Sequence, residues 1–146
     1  GGMFGDCVVV LAPAAVRGLP FLTKATTQLP SKTRFVSAQL LAMFEGDLWL
    51  RNAAAANAMA QRLRRGLAGL PAVEVVHPVE ANAVFARLPG SAAAALAERW
   101  SFHTWDAAAG VIRLMTAFDT EPGDVDALLG DLASALAAPG GGVVAR

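Results

Sequence analysis

The chain has 146 residues, a length that suits one compact domain or a small domain joined to part of another. Its hydrophobic fraction of 55% is high and its charged fraction of 16% is low for a soluble domain, so we expect further surface to be covered by a partner or another domain. Lysine plus arginine and aspartate plus glutamate both total 12 and no basic tract stands out, which argues against a nucleic-acid partner.

The first half of the chain is predicted to hold one strand and two helices. A strand is predicted at residues 6–11, because residues 7–11 form an unbroken apolar run rich in β-branched residues, which is typical of a strand buried on both faces. Ser31 is the expected N-cap of the first helix and Gly46 the expected break after it. The second helix carries an apolar stripe from Trp49 to Leu70, and Pro71 helps to end it.

From residue 73 the predicted order is strand, strand, helix, strand, strand, helix. This order indicates an α/β chain whose last part is an α+β-like small domain, a small mixed or antiparallel sheet covered on one face by helices. The predicted strands lie at 73–75, 82–88, 102–105 and 111–116, and the helices run from a Ser91 cap to Arg99 and onward from Thr120 and Pro122.

Cysteine and histidine usage limits the possible chemistry. Cys7 is the only cysteine, so an internal disulfide and a cysteine-based metal site are excluded, and a reducing, cytoplasmic location fits. His77 and His103 have no metal-ligand partner at a useful spacing, so no metal site is predicted. His77 is interpreted as a loop histidine, whereas His103 either lines a site or occupies a half-buried strand position.

No apolar stretch is long enough to span a bilayer, so no membrane partner is expected.

Arg113 is the most informative charged residue. It lies inside the strand predicted at 111–116, which is otherwise apolar around it, and a guanidinium keeps its charge wherever it is placed. Burial without a partner would be costly. Arg113 therefore meets a carboxylate such as Asp106 or Asp119, or reaches water from an edge strand, or holds a ligand carboxylate in bidentate geometry. The residues alone leave these interpretations open.

A second basic cluster lies at the first predicted helix. Lys32 and Arg34 stand beside the expected helix start at Ser31, with Lys24 nearby. Helix N-termini attract anions, and without an anion basic side chains there are locally unfavourable. A phosphate site and a pair of solvated loop charges both remain open.

Four segments occur in order over nearly the whole chain: Ser-Lys-Thr-Arg-Phe-Val-Ser-Ala-Gln (31–39), Asp-Leu-Trp-Leu (47–50), His-Pro-Val-Glu-Ala-Asn-Ala-Val-Phe-Ala (77–86) and Ile-Arg-Leu-Met-Thr-Ala-Phe-Asp-Thr (112–120). Together they resemble the pyridoxal-phosphate-dependent L-threonine aldolases of the β-eliminating lyase group. The resemblance implies the C-terminal part of a fold-type-I enzyme that acts as a homo-oligomer, a dimer or a tetramer. It assigns residues 1–30 to the tail of the large cofactor-binding domain and its crossover, 31–72 to bridging helices, 73–140 to the small C-terminal domain and 141–146 to a flexible tail.

The resemblance also implies roles for single residues. Arg113 matches the arginine that holds the α-carboxylate of the amino acid substrate. Arg34 matches an arginine that reaches the phosphate of pyridoxal 5'-phosphate from a neighbouring subunit, and Lys32 accompanies it. The family's Schiff-base lysine would lie just before Gly1, so no catalytic residue is expected within the chain, and the chain alone is expected to be inactive.

The implied reaction is the retro-aldol cleavage of L-threonine, or of a related β-hydroxy-α-amino acid, to glycine and an aldehyde. A second hypothesis keeps the cofactor but replaces this reaction by β-elimination or deamination. A third hypothesis makes the chain a non-catalytic interaction module, with its apolar surface and the run at 6–11 as the interface.

Overall fold

The computed structural model describes residues 7–138 and divides the chain into two units, residues 1–49 and 50–146. The predicted tail at 141–146, and the residues expected to follow the family lysine, 1–6, lie outside the described range. The domain boundaries drawn from the resemblance stay predictions. No helix between residues 7 and 138 combines the length and the apolar character that a membrane span requires.

The first unit is built from short helical segments. It contains a 3-10 turn at Pro13–Val16, α1 at Leu19–Ala25 and α2 at Arg34–Phe44. The helix α3 spans Leu48–Leu67, and its first two residues belong to this unit. Neither α1 nor α2 buries a residue. The break predicted at Gly46 is confirmed, because this glycine has a φ of +83° directly after α2 ends.

The strand predicted at 6–11 is wrong in its described part. Residues 7–10 adopt no regular secondary structure, and Val8, Val9 and Leu11 are 78%, 72% and 92% exposed. A β-branched run favours an extended backbone, but a strand also needs a neighbour to complete its hydrogen bonds. No described strand pairs with this segment.

Both predicted serine caps are also wrong. Thr33 is the N-cap of α2, because residues 31–33 form a turn in which Lys32 has a φ of +62° and the helix begins only afterwards. Pro89 is the N-cap of α4, Gly90–Ala97, so Ser91 lies inside the first turn of that helix. Neither helix start has a side-chain cap hydrogen bond.

The second unit confirms the order predicted from residue 73. Its strands are β1 at Glu74–Val75, β2 at Ala83–Arg87, β3 at His103–Asp106 and β4 at Val111–Met115, with α5 at Pro122–Ala137. All pairings are antiparallel, and the strand order is β1-β2-β4-β3. The sheet is therefore antiparallel, and β2 and β4 are its inner strands.

The two faces of the sheet differ in burial. Alternate side chains of β2 and β4 are buried and join a core with the helices, whose members include Val84, Ala86, Ile112, Leu114, Leu63, Leu67, Leu96 and Leu132. The other side chains of β2 and β4 point to the opposite face of the sheet. Val111 is buried there, and the rest are half-buried or exposed, among them Phe85, Arg87, Arg113 and Met115. Strand alternation thus places Arg113 on the face that points away from the core.

An exposed ion pair joins α3 to α5. Arg62 donates from Nε and Nη2 to the two carboxylate oxygens of Asp126, at 2.9 and 2.7 Å. Hydrogen bonding from the Arg62 guanidinium lowers the pKa of Asp126 below its usual value. The contact contributes to stability above the pKa that Asp126 has in the unfolded chain, and this contribution is lost as the pH falls through its lower folded pKa.

We expect Asp126→Asn to lower the midpoint of urea unfolding at pH 7, because it replaces the ionised acceptor of Arg62. The deficit relative to the unsubstituted protein should shrink as the pH falls below 3.8, the ordinary pKa of an aspartate, and should disappear as the pH falls through the lower pKa of folded Asp126. Asp119→Asn is the matched control, since no ion pair of exposed Asp119 is found within residues 7–138. A deficit that is equally large at pH 7 and pH 2.5 would contradict the ion-pair account.

Candidate functional site

Arg113 lies at the centre of the sheet. Its strand, β4, runs between β2 and β3, so the interpretation that places Arg113 on an edge strand is wrong. Its direct cross-strand neighbours are Phe85 on β2 and His103 on β3. Cross-strand pairs share a face of the sheet, so these three side chains meet on the face opposite the helical core.

No carboxylate of the described chain pairs with Arg113. Its Nε is buried and has no hydrogen-bond partner within residues 7–138. Asp106 accepts from the backbone N–H of Ala109 at 2.9 Å instead, and Asp119 makes no ion pair with Arg113. The internal salt-bridge interpretation is therefore wrong for the described residues, and the binding of a ligand carboxylate by Arg113 stays a prediction.

The nitrogens of the Arg113 guanidinium differ in their exposure to solvent. Nε is buried and has no hydrogen-bond partner, whereas the two terminal nitrogens are not among the buried, unpartnered atoms of residues 7–138. The donors that remain open to an incoming anion are therefore Nη1 and Nη2. Two parallel N–H donors match the spacing of carboxylate oxygens and allow bidentate binding.

Four aromatic side chains are linked by ring contacts beside Arg113, and we call His77, Phe85, His103 and Trp105 the aromatic frame. The ring of Phe85 meets that of Trp105 at 5.0 Å between centroids and that of His77 at 5.3 Å, both edge to face. His103 lies 6.3 Å from Trp105, and the Cζ atom of Arg113 lies 5.7 Å from the Trp105 ring centroid. The guanidinium of Arg113 therefore contacts the ring of Trp105, which the other rings of the aromatic frame support.

One interpretation of the sequence was that His103 lines a site. The structure places His103 in an exposed position on the Arg113 face, the face of the sheet that points away from the helical core. His77 lies outside the strands, as predicted for a loop histidine. Sequence reasoning missed Phe85 and Trp105. The alternation of Phe85 with buried Val84 and Ala86 gave its face, but the register that sets it opposite Arg113 involves strands far apart in sequence.

The second set of candidate residues lies in the first unit. Arg34 is the first residue of α2 and Lys32 lies two residues before it, and both side chains are exposed. The first turn of α2 contains no acidic residue. Basic side chains beside the N–H groups of a helix start fit a phosphate group. Lys24 lies in the last turn of α1, where a cation complements the helix dipole, so its position has a structural explanation.

The second unit has another cleft, of about 250 Å³, lined by Leu63, Trp100, Thr116, Thr120, Asp124 and Leu128, among others. Two of its polar side chains already form hydrogen bonds within the chain. Thr116 donates to the carbonyl of Ala56 at 2.7 Å, and Asp124 accepts from the N–H of Glu121 at 2.9 Å. Within residues 7–138 no cluster of three histidine, cysteine or acidic side chains could hold a metal ion. The Arg113 face is therefore the stronger candidate for ligand binding.

Comparison with known proteins gives a consistent picture. A low-specificity L-threonine aldolase of Pseudomonas sp. (strain NCIMB 10558) is 35% identical over 94% of the chain, and one of Pseudomonas aeruginosa is 34% identical over 83%. The chain belongs to the threonine aldolase family. It spans 40% and 35% of the lengths of these relatives. No family model matches the chain.

The fold of the chain also matches a solved structure. A structure of the Leishmania major threonine aldolase superposes on 81% of the chain with a TM-score of 0.72, at 23% sequence identity, and the match covers 35% of that protein. The prediction of a fold-type-I aldolase architecture is thereby confirmed, with a small antiparallel sheet covered by helices.

Proposed function

We propose that the chain is part of a lyase that cleaves L-threonine, or a related β-hydroxy-α-amino acid, to glycine and an aldehyde by a retro-aldol reaction. The names of its relatives support this reaction class. The observation that carries the proposal within the chain is the guanidinium of Arg113, which lies on the open face of the sheet without a carboxylate partner in the described residues. An α-amino acid brings the carboxylate that this group lacks.

Arg113 binds and orients the substrate in this proposal. Charge-assisted bidentate bonds from its terminal nitrogens fix both the position and the rotation of the α-carboxylate. Fixing these two features determines which bond of the α-carbon faces the reacting group, and such orientation is a large part of catalysis. We assign no bond-breaking step to any residue of this chain.

We further propose pyridoxal 5'-phosphate as the cofactor of the protein to which this chain belongs. The cofactor supplies the electron sink that makes cleavage between the α- and β-carbons feasible. Arg34 and Lys32 would hold its phosphate group, since both are exposed basic residues beside a helix start without acidic residues in its first turn. A homo-oligomer, in which Arg34 serves a neighbouring subunit, and a cytoplasmic location complete the proposal.

The reaction is tested on the product of the full reading frame that contains this chain, supplied with pyridoxal 5'-phosphate and L-threonine. We expect glycine and acetaldehyde in equal amounts. Ammonia with a 2-oxo acid would instead identify a deaminating or β-eliminating lyase, and the absence of turnover together with cofactor binding would oppose the aldolase proposal.

In that protein, we expect Arg113→Lys to raise the KM for L-threonine about tenfold and Arg113→Ala about a hundredfold, since charge-assisted hydrogen bonds are worth about 1.5–3 kcal/mol. Arg87→Lys is the matched control, because Arg87 lies on the neighbouring strand but pairs with Glu74. Unchanged kinetics combined with poorer folding of the Arg113 variants would show a purely structural role.

Arg34→Ala should weaken the affinity for pyridoxal 5'-phosphate about tenfold, because one charge-assisted contact with the phosphate is lost. The dissociation constant is measured by titrating the apoprotein with the cofactor. Lys24→Ala serves as the control, as it removes a positive charge from the same unit at a helix C-terminus. An unaltered dissociation constant in Arg34→Ala would reduce this residue to a solvated surface charge.

A further inference from the structure

A binding arginine must be held in one orientation, and the usual means is missing for Arg113. Arg62, Arg87 and Arg99 are each fixed by a carboxylate, on Asp126, Glu74 and Asp131. No described carboxylate does the same for Arg113, and its Nε has no hydrogen-bond partner. Arginine has several rotatable bonds, so something else must limit the conformations of this side chain.

Trp105 occupies the position that can do so. The Cζ atom of Arg113 lies 5.7 Å from the centroid of the Trp105 ring, within the range of a cation–π contact. The Trp105 ring is in turn contacted edge to face by Phe85, at 5.0 Å, and by His103, at 6.3 Å. A ring that is supported by two others presents a defined surface to the guanidinium.

The backbone of β3 explains how Trp105 reaches this place. The pairing register of β3 with β4 shifts between Thr104 and Asp106, so one extra residue is inserted opposite β4. Such a bulge changes the direction of the side chain at that point. The inserted residue is Trp105, which is 52% exposed and whose ring lies next to the guanidinium of Arg113.

We propose that Trp105 is a positioning residue, which holds the Arg113 guanidinium so that Nη1 and Nη2 face the α-carboxylate of the substrate. This proposal rests on the proposed function of Arg113. An aromatic face attracts a cation without occupying its N–H donors, whereas a carboxylate would compete with the substrate for them. Without Trp105, binding would have to immobilise a mobile arginine, and affinity would fall.

The chain provides a matched control pair of the same geometry. The Cζ atom of Arg99 also lies 5.7 Å from the ring centroid of a tryptophan, Trp100. In this pair, however, Asp131 accepts hydrogen bonds from both the Arg99 guanidinium and the Trp100 indole N–H. Substitution of Trp100 therefore tests the loss of a similar contact in a place where we assign no ligand.

In the product of the full reading frame, we expect Trp105→Leu to raise the KM for L-threonine about three- to tenfold, the range expected from a lost cation–π contact and a freed side chain. The kcat should change less than twofold, since Trp105 touches no reacting atom. Trp105→Phe, which keeps an aromatic face, should restore most of the affinity, and Trp100→Leu should leave KM unchanged. Equal KM values for Trp105→Leu and the unsubstituted protein would overturn the proposal.

A crystal structure of the Trp105→Leu protein gives a readout that needs no activity. We expect the Arg113 guanidinium to leave its position over residue 105 or to occupy more than one rotamer, while the strands keep their register. An unchanged, single Arg113 conformation would overturn the positioning role even if the protein cleaves no threonine. Absence of threonine cleavage alone, with a displaced Arg113, would instead count against the proposed reaction and leave the positioning role supported.

Discussion

One charge in the second unit has no carboxylate partner within residues 7–138, and its surroundings explain how the proposed site is built. Arg113 lies on an inner strand of an antiparallel sheet, its Nε is buried, and no described carboxylate neutralises it. A charge in such a place is unfavourable unless it meets a partner, and arginine cannot escape by losing its proton. Under the proposed function, the carboxylate of the substrate supplies that partner. This is the pattern expected of a binding residue.

The rest of the unit gives this arginine a rigid support. One face of the sheet is filled by aliphatic side chains of α3, α4 and α5, which leaves the other face for the site. The end of β4 is fixed by Thr116, which donates to the carbonyl of Ala56 in α3, and by Asn82, which donates to the carbonyl of Thr116 at 2.7 Å. A strand held at its end and along its core face changes position little when its outer face binds a ligand.

Local patterns predicted the second unit well and the surroundings of Arg113 poorly. Alternation and helical spacing gave the order of elements from residue 73 and the face on which Arg113 lies. The strand order β1-β2-β4-β3 depends on contacts between segments that are distant in sequence. Local sequence patterns therefore could not predict that Arg113 lies on an inner strand next to Phe85 and Trp105. The run at 6–11 failed for a related reason, since its apolar residues indicate a strand only if other strands lie beside it.

The aromatic frame resolves a conflict between holding a cation and leaving it available. A carboxylate such as the one that fixes Arg62 would orient the guanidinium, but it would use the same donors that a substrate carboxylate needs. A ring face stabilises the charge through its quadrupole and leaves the terminal N–H groups open. The Nε atom of Arg113 is buried without a partner, so the proposed binding of the substrate carboxylate involves Nη1 and Nη2. For an arginine that is proposed to bind a substrate carboxylate, aromatic packing is therefore the more suitable anchor.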